Sequence, residues 1–141
     1  MPTRKLSLLP DDIAEDWALI RRRDPKVYVG RRTKNGKCVV KVNEGSNTRT
    51  LPHCRNLRNH SRGFEWGYGG SGPAQLSLAI LADFLKDDEK ALRYYQKFKF
   101  MMIGGLPQEG WALPESVVKA AVDLIEGEEK AGEKAAPHPQ E

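Results

Sequence analysis

The five residues Gly69-Gly70-Ser71-Gly72-Pro73 stand directly before a stretch that is apolar on nearly every side. From Ala74 to Leu85, the residues Leu76, Leu78, Ala79, Ile80, Leu81, Ala82, Phe84 and Leu85 cover most of a helical circumference. A helix apolar nearly all round is buried. Pro73 suits its first position, where a missing N–H costs nothing, and Ser71 or Gly72 suits its cap. The chain must therefore build a core around this helix and bring a glycine-rich turn to its N-terminal end. With 141 residues, 39% of them hydrophobic, it is long enough to do so. A domain of this size buries roughly two-thirds of the surface its unfolded chain exposes, without disulfides or metal.

The partners of that helix are read from periodicity. Asp11 to Arg23 predicts an amphipathic helix carrying Ile13, Trp17 and Ile20, stopped by Asp24-Pro25. Val27 to Val42 predicts a hairpin, because Asn35-Gly36 is the pair a two-residue type I′ turn prefers. Pairing outward from that turn sets Val29 against Val42, Arg31 against Val40 and Thr33 against Cys38. The apolar face then holds Val29, Cys38, Val40 and Val42, and Arg32 and Lys41 point away. A loop at Gly45-Ser46-Asn47 leads to a short strand at Thr48 to Leu51, and Gly63 to Tyr68 reads as an aromatic strand. After the buried helix, Asp87 or Asp88 caps a second one, Glu89 to about Met102, with Leu92, Tyr95, Phe98 and Met102 as its apolar stripe. Gly104-Gly105 and Pro107 close it. A third helix, with Pro114 near its start, carries Val117, Val118, Ala121, Leu124 and Ile125 and stops at Gly127. The expected fold is α+β: an antiparallel β-sheet packed by two or three C-terminal helices. Residues 1–26 form a helical extension, 27–126 the single domain and 127–141 a disordered tail.

Charge is distributed unevenly along this frame. Residues 21–62 hold nine Arg and four Lys against Asp24 and Glu44, a local balance of +11 in a chain whose net charge is +4. Such a field attracts nucleic acid, a phosphorylated small molecule or an acidic protein. No stretch approaches the roughly 20 apolar residues of a membrane span, and the first ten residues lack the core of a signal peptide. The expectation is a cytoplasmic protein without membrane contact. Cys38 and Cys54 are then free thiols.

Chemistry concentrates at the glycine turn. Unpaired N–H groups at a helix start, reinforced by the helix dipole, make an anion site, and glycine lets a phosphate approach the backbone. Gly69, Gly70, Ser71 and Gly72 fit that use, with the Ser71 hydroxyl as a further donor. No Gly-Lys-Ser/Thr follows, so it is not a Walker A loop, and the dinucleotide-binding glycine spacing is missing. Trp66 and Tyr68 are candidates to stack on a base. Arg93 and Lys97, four apart on the second helix, can converge on one anion. Arg58 and Arg62 offer planar forks for phosphate oxygens. Cys38, His53, Cys54 and His60 lack the spacing of a zinc site, and no nucleophile stands in a catalytic context. Neither an enzyme nor a metal or cofactor is expected.

The run from Phe64 to Asp83, with Tyr28-Val29-Gly30 upstream and Tyr95-Gln96-Lys97-Phe98-Lys99 downstream, resembles a family of uncharacterised proteins of bacteria, phages and other mobile elements. The resemblance covers about residues 27–113, and it implies a domain of unknown function. In layout the chain is also similar to phage anti-defence proteins that sequester the cyclic ADP-ribose-type signals of the Thoeris system. That likeness implies a homo-oligomer, a dimer or larger. It also implies a ligand site with an aromatic on adenine, an amide side chain and two basic residues four apart, for which Trp66, Gln75, Arg93 and Lys97 are the corresponding positions. Two functions are then expected in order: sequestration of a phosphorylated, cyclic nucleotide signal in a bacterial host cell, or an anti-CRISPR-like grip of the 21–62 segment on nucleic acid or an acidic host protein.

Overall fold

The computed structural model describes residues 26–135. The helix expected at Asp11 to Arg23 lies outside the described residues, as does the end of the chain from residue 136. Four strands, β1 (Lys26–Arg32), β2 (Cys38–Glu44), β3 (Asn47–Thr50) and β4 (Gly110–Pro114), form one antiparallel sheet in the order β3-β2-β1-β4. Three helices, α1 (Ser71–Leu85), α2 (Asp88–Met101) and α3 (Glu115–Ala135), follow the first three strands in sequence. The architecture is the α+β arrangement that the order of elements implies.

The 27–42 hairpin forms, but one residue out of the expected register. Val29 stands opposite Lys41, Gly30 opposite Val40 and Arg32 opposite Cys38. The connection is a three-residue loop rather than a two-residue one. The Gly36 N–H bonds the Thr33 carbonyl at 2.8 Å, and the Thr33 N–H bonds the Lys37 carbonyl at 2.8 Å. Only Gly36 takes a positive φ, +81°, where a type I′ turn needs two such residues. A one-residue slip turns a strand over. Tyr28 therefore joins Val40 and Val42 in the core, and Val29 moves to the opposite face with Val27 and Ala112.

Three further boundaries differ from expectation. Trp111 to Leu113, directly before the helix expected from Pro114, belongs to β4 and pairs with β1. Gly63 to Tyr68 forms no strand. Its aromatics Phe64 and Trp66 still enter the core. The third helix runs on through Gly127 to Ala135, so residues 127–135, expected as disordered tail, are helical. Its apolar core face, Val118, Ala121, Val122 and Ile125, continues the packing begun by Leu76, Leu78, Ile80 and Leu81 of α1. On α2, Ala91, Tyr94, Tyr95 and Phe98 are buried, while Leu92 and Met102 of the expected stripe are half-buried.

Candidate functional site

The glycine turn leads into α1, but the helix starts at Ser71, two residues before the expected Pro73, so that neither Ser71 nor Gly72 is its cap. Gly70 caps the helix through its backbone, with no side-chain cap and no acid in the first turn. Ala74 N–H bonds the Gly70 carbonyl at 2.9 Å, and Pro73 has no N–H to offer. Close packing accounts for part of the glycine content. A Cβ on Gly72 would lie 2.6 Å from Cβ of Glu65, and one on Gly70 would lie 2.5 Å from the Tyr68 ring. Tyr68, at 48% exposure, and Ser71 face solvent beside Gly69. The exposed Phe100 ring is on the same side, 3.7 Å from where a Gly69 Cβ would stand.

The other residues expected around this turn do not gather there. Trp66 is fully buried, edge-on to Trp111 with ring centroids 5.4 Å apart, and its Nε1 donates to the Gln108 carbonyl at 3.1 Å. A ring held on those contacts is not a stacking platform for a ligand. Gln75 is fully buried as well. Its Oε1 accepts from the His60 and Ser61 N–H groups, and its Nε2 donates to the His53 carbonyl, so it pins the loop that precedes the turn. Arg58 lies in that loop and Arg62 directly follows its pinned residues; both are exposed. Arg93 and Lys97 face acids of α3: Arg93 Nε lies 2.8 Å from Glu129 and Nη2 lies 3.6 Å from Glu133, and Lys97 lies 3.8 Å from Glu128. The eleven-residue site thus divides into the turn itself, two buried scaffold residues, a helix-to-helix ion-pair set and two loop arginines.

A different concavity lies on the face of the sheet that the corrected register exposes. It has a volume of about 470 Å³ and is lined by Val29, Arg31, Thr33, Val39, Lys41, Asn43 and Thr48, with Arg32 at its edge. Three strands build it. Arg31 stands opposite Val39 and Val29 opposite Lys41, so the two cations are diagonal neighbours across a two-valine floor. The exposed Arg31 and Lys41 make no ion pair among the described residues. Lys41 Nζ donates to the Thr50 hydroxyl at 3.0 Å, and the Thr48 hydroxyl donates to Asn43 Oδ1 at 2.6 Å. Apolar floor, cations and neutral donors together form a surface that holds an anion carrying a flat or apolar part. The sequence signal for it is the run Val27-Tyr28-Val29, whose three apolar residues make β1 apolar on both faces.

Two charged clusters flank the sheet and are satisfied within the chain. Arg32 bonds Glu65 through both terminal nitrogens, at 3.1 and 2.8 Å, stacks on Trp66 at 4.8 Å and reaches the Gln108 carbonyl at 2.6 Å. The Arg32 hydrogen bonds hold the Glu65 carboxyl below its usual range against the opposing effect of burial. Burial pushes the nearby Cys38 thiol up to about 11, so it stays protonated and unreactive at neutral pH. At the other end, Asp83 accepts from Tyr28 at 2.7 Å, Lys26 at 3.2 Å and Arg49 at 2.6 Å. Burial works against the Asp83 charge, but these donors outweigh it and keep the carboxyl below its ordinary value. Both clusters are structural in geometry.

Among the described residues, no three His, Cys, Asp or Glu side chains are grouped to hold a metal ion, and no helix is long and apolar enough to cross a membrane. No curated protein and no solved structure matches the chain. The profile of a family of unknown function, DUF6166, matches residues 28–124, reaching into α3 where the 27–113 of the sequence resemblance ends in β4. That match spans more than half of the chain, which therefore belongs to DUF6166.

Proposed function

We propose that this protein binds a small phosphorylated ligand of nucleotide type in the groove of Arg31, Lys41, Val29 and Val39, without turning it over. The observation that carries this reading is the meeting of two exposed cations, neither in an ion pair among the described residues, with an apolar floor in one concavity of about 470 Å³, a volume in the range of small-molecule sites. Arg31 and Lys41 hold phosphate oxygens, Asn43 and Thr48 orient the polar edge of the ligand, and the valines cover its flat part. The role that the resemblance implies for such a binder is sequestration of a cyclic ADP-ribose-type signal. The glycine turn, with Tyr68 and Ser71, is the competing location for the same ligand.

The test is a calorimetric titration of the full chain with ADP-ribose, cyclic ADP-ribose isomers and cyclic di- and trinucleotides. Each charge-assisted bond contributes roughly 1.5–3 kcal/mol, so Arg31→Ala and Lys41→Ala should each weaken binding by about tenfold or more. Tyr68→Ala should leave it within about twofold. The reverse pattern would move the site to the glycine turn, and silence across the panel would remove the reading.

A second reading has its own observation. Arg31, Lys34, Lys37, Lys41, Arg55, Arg58 and Arg62 are all exposed and make no ion pair among the described residues. A spread of that extent suits a nucleic acid or an acidic protein face better than one small ligand. A short duplex in the same titration separates the two, since binding through several phosphates falls steeply with salt.

A further inference from the structure

The helix α3 carries a second apolar face that no described residue covers. Its core face is Val118, Ala121, Val122 and Ile125, all buried. Roughly a third of a turn away lie Val117, Ala120, Leu124, Gly127 and Ala131, all exposed, with Leu124 at 61%. Their spacing, three then four residues repeated, is that of a helix–helix seam. Gly127 is the informative member. Glycine is the poorest helix former after proline, and a Cβ at this position would meet nothing within 4 Å. Nothing among the described residues therefore calls for a glycine there, whereas a seam against another helix uses one to admit a large side chain.

We propose that this seam pairs with the same seam of a second copy, the two α3 helices running antiparallel about a two-fold axis. With Leu124 of one copy seated over Gly127 of the other, Gly127 of the first receives Leu124 of the second, and Ala120 and Ala131 meet in the next layers. Charge agrees with that register. Asp123 and Lys130 lie seven residues apart along one flank of the seam, so each faces its opposite in the other copy. A parallel pairing instead sets Asp123 beside Glu128 of the other copy, acid against acid. The repeat of one self-complementary patch is what a two-fold interface requires, and it favours a second copy over an unrelated helix.

Sedimentation equilibrium of the full chain, with circular dichroism on each variant, tests the pairing. The native chain is expected to dimerise, and Leu124→Glu, at an exposed position, to raise the dissociation constant about 100-fold with unchanged helix content. Asp123→Lys and Lys130→Asp should each weaken the dimer, and the double exchange should restore it to within about threefold. Gly127→Ala should raise the melting temperature of the monomer while weakening the dimer, two effects of opposite sign that a purely structural glycine does not produce. A chain that stays monomeric at all concentrations overturns the proposal, as does a dimer indifferent to Leu124→Glu. Failure of the double exchange to recover overturns the antiparallel register.

Discussion

At Gly30 the sheet and the core meet with no space between them. The residue pairs with Trp111 across β1 and β4, and a Cβ placed on it would stand 2.3 Å from the Trp111 ring. That indole is fully buried and set edge-on against Trp66, so it has nowhere to move. Overpacking a core of this density costs about 1–3 kcal/mol, and a rigid buried indole puts Gly30→Ala at the upper end. Chemical denaturation should show a loss of about 3 kcal/mol with an unchanged slope. A loss under about 0.5 kcal/mol would mean that the strands part more easily than the packing implies. Gly30 lies in the sequence as one glycine among thirteen, and its partner eighty residues away is not visible there. Trp66 and Gln75 mislead for the same reason. An aromatic beside a glycine turn and an amide on a helix look available to a ligand until the packing puts both at zero exposure.

Elements with local causes were legible in the sequence, and elements with distant ones were not. The start of α2 is local: Asp87 accepts from the Lys90 N–H at 3.1 Å, as a cap predicted from Asp87 or Asp88 requires. Asp87→Ala should accordingly cost about 1 kcal/mol, read as a lower denaturation midpoint, and Asp87→Ser should recover most of it. An alanine variant as stable as the native chain would show that tertiary packing alone holds that end. The hairpin is a harder case. A type I′ turn and a type I turn with a glycine bulge both place glycine after asparagine, and they differ by one residue of register. The choice decides which face Val29 and Arg31 occupy, so the outer groove disappears from any reading built on the wrong turn. Strand β4 was missed because only Trp111, Ala112 and Leu113 separate Gly110 from Pro114. Its strand character comes from pairing with β1, not from its own period. The α3 extension past Gly127 is tertiary in origin as well. Gly127 reads as a stop, yet Glu128, Glu129 and Glu133 hold Lys97 and Arg93 of α2 across the helix pair.

Across the described residues, the excess of positive charge is only partly neutralised by the fold. Arg32, Lys26 and Arg49 find Glu65, Asp83 and Glu44 as partners, while the hairpin and the loop before the glycine turn keep their cations in water. The Asp83 cluster joins distant parts of the chain: Lys26 and Tyr28 come from β1, Arg49 from β3 and Asp83 from α1. The Asp83 side chain is only 9% exposed, so its charge is held by protein donors rather than by water. Because these donors lower its folded pKa, the ionised form stabilises the fold fully above the unfolded value of about 3.9. That contribution is lost as the pH falls below about 4 toward the lower folded value. Asp83→Asn removes the charge while leaving Lys26 and Arg49 in place. It should cost about 3 kcal/mol at pH 7, the low end for breaking a buried pair because Arg49 is 37% exposed. The sign of the pH dependence is then decisive. Native and variant stabilities should converge as the pH falls below about 4, since acid removes from the native chain the same charge that the substitution removes. A gap that stays constant across that range would mean that Asp83 acts through packing and hydrogen-bond geometry, and that the sheet and α1 are held together without its charge.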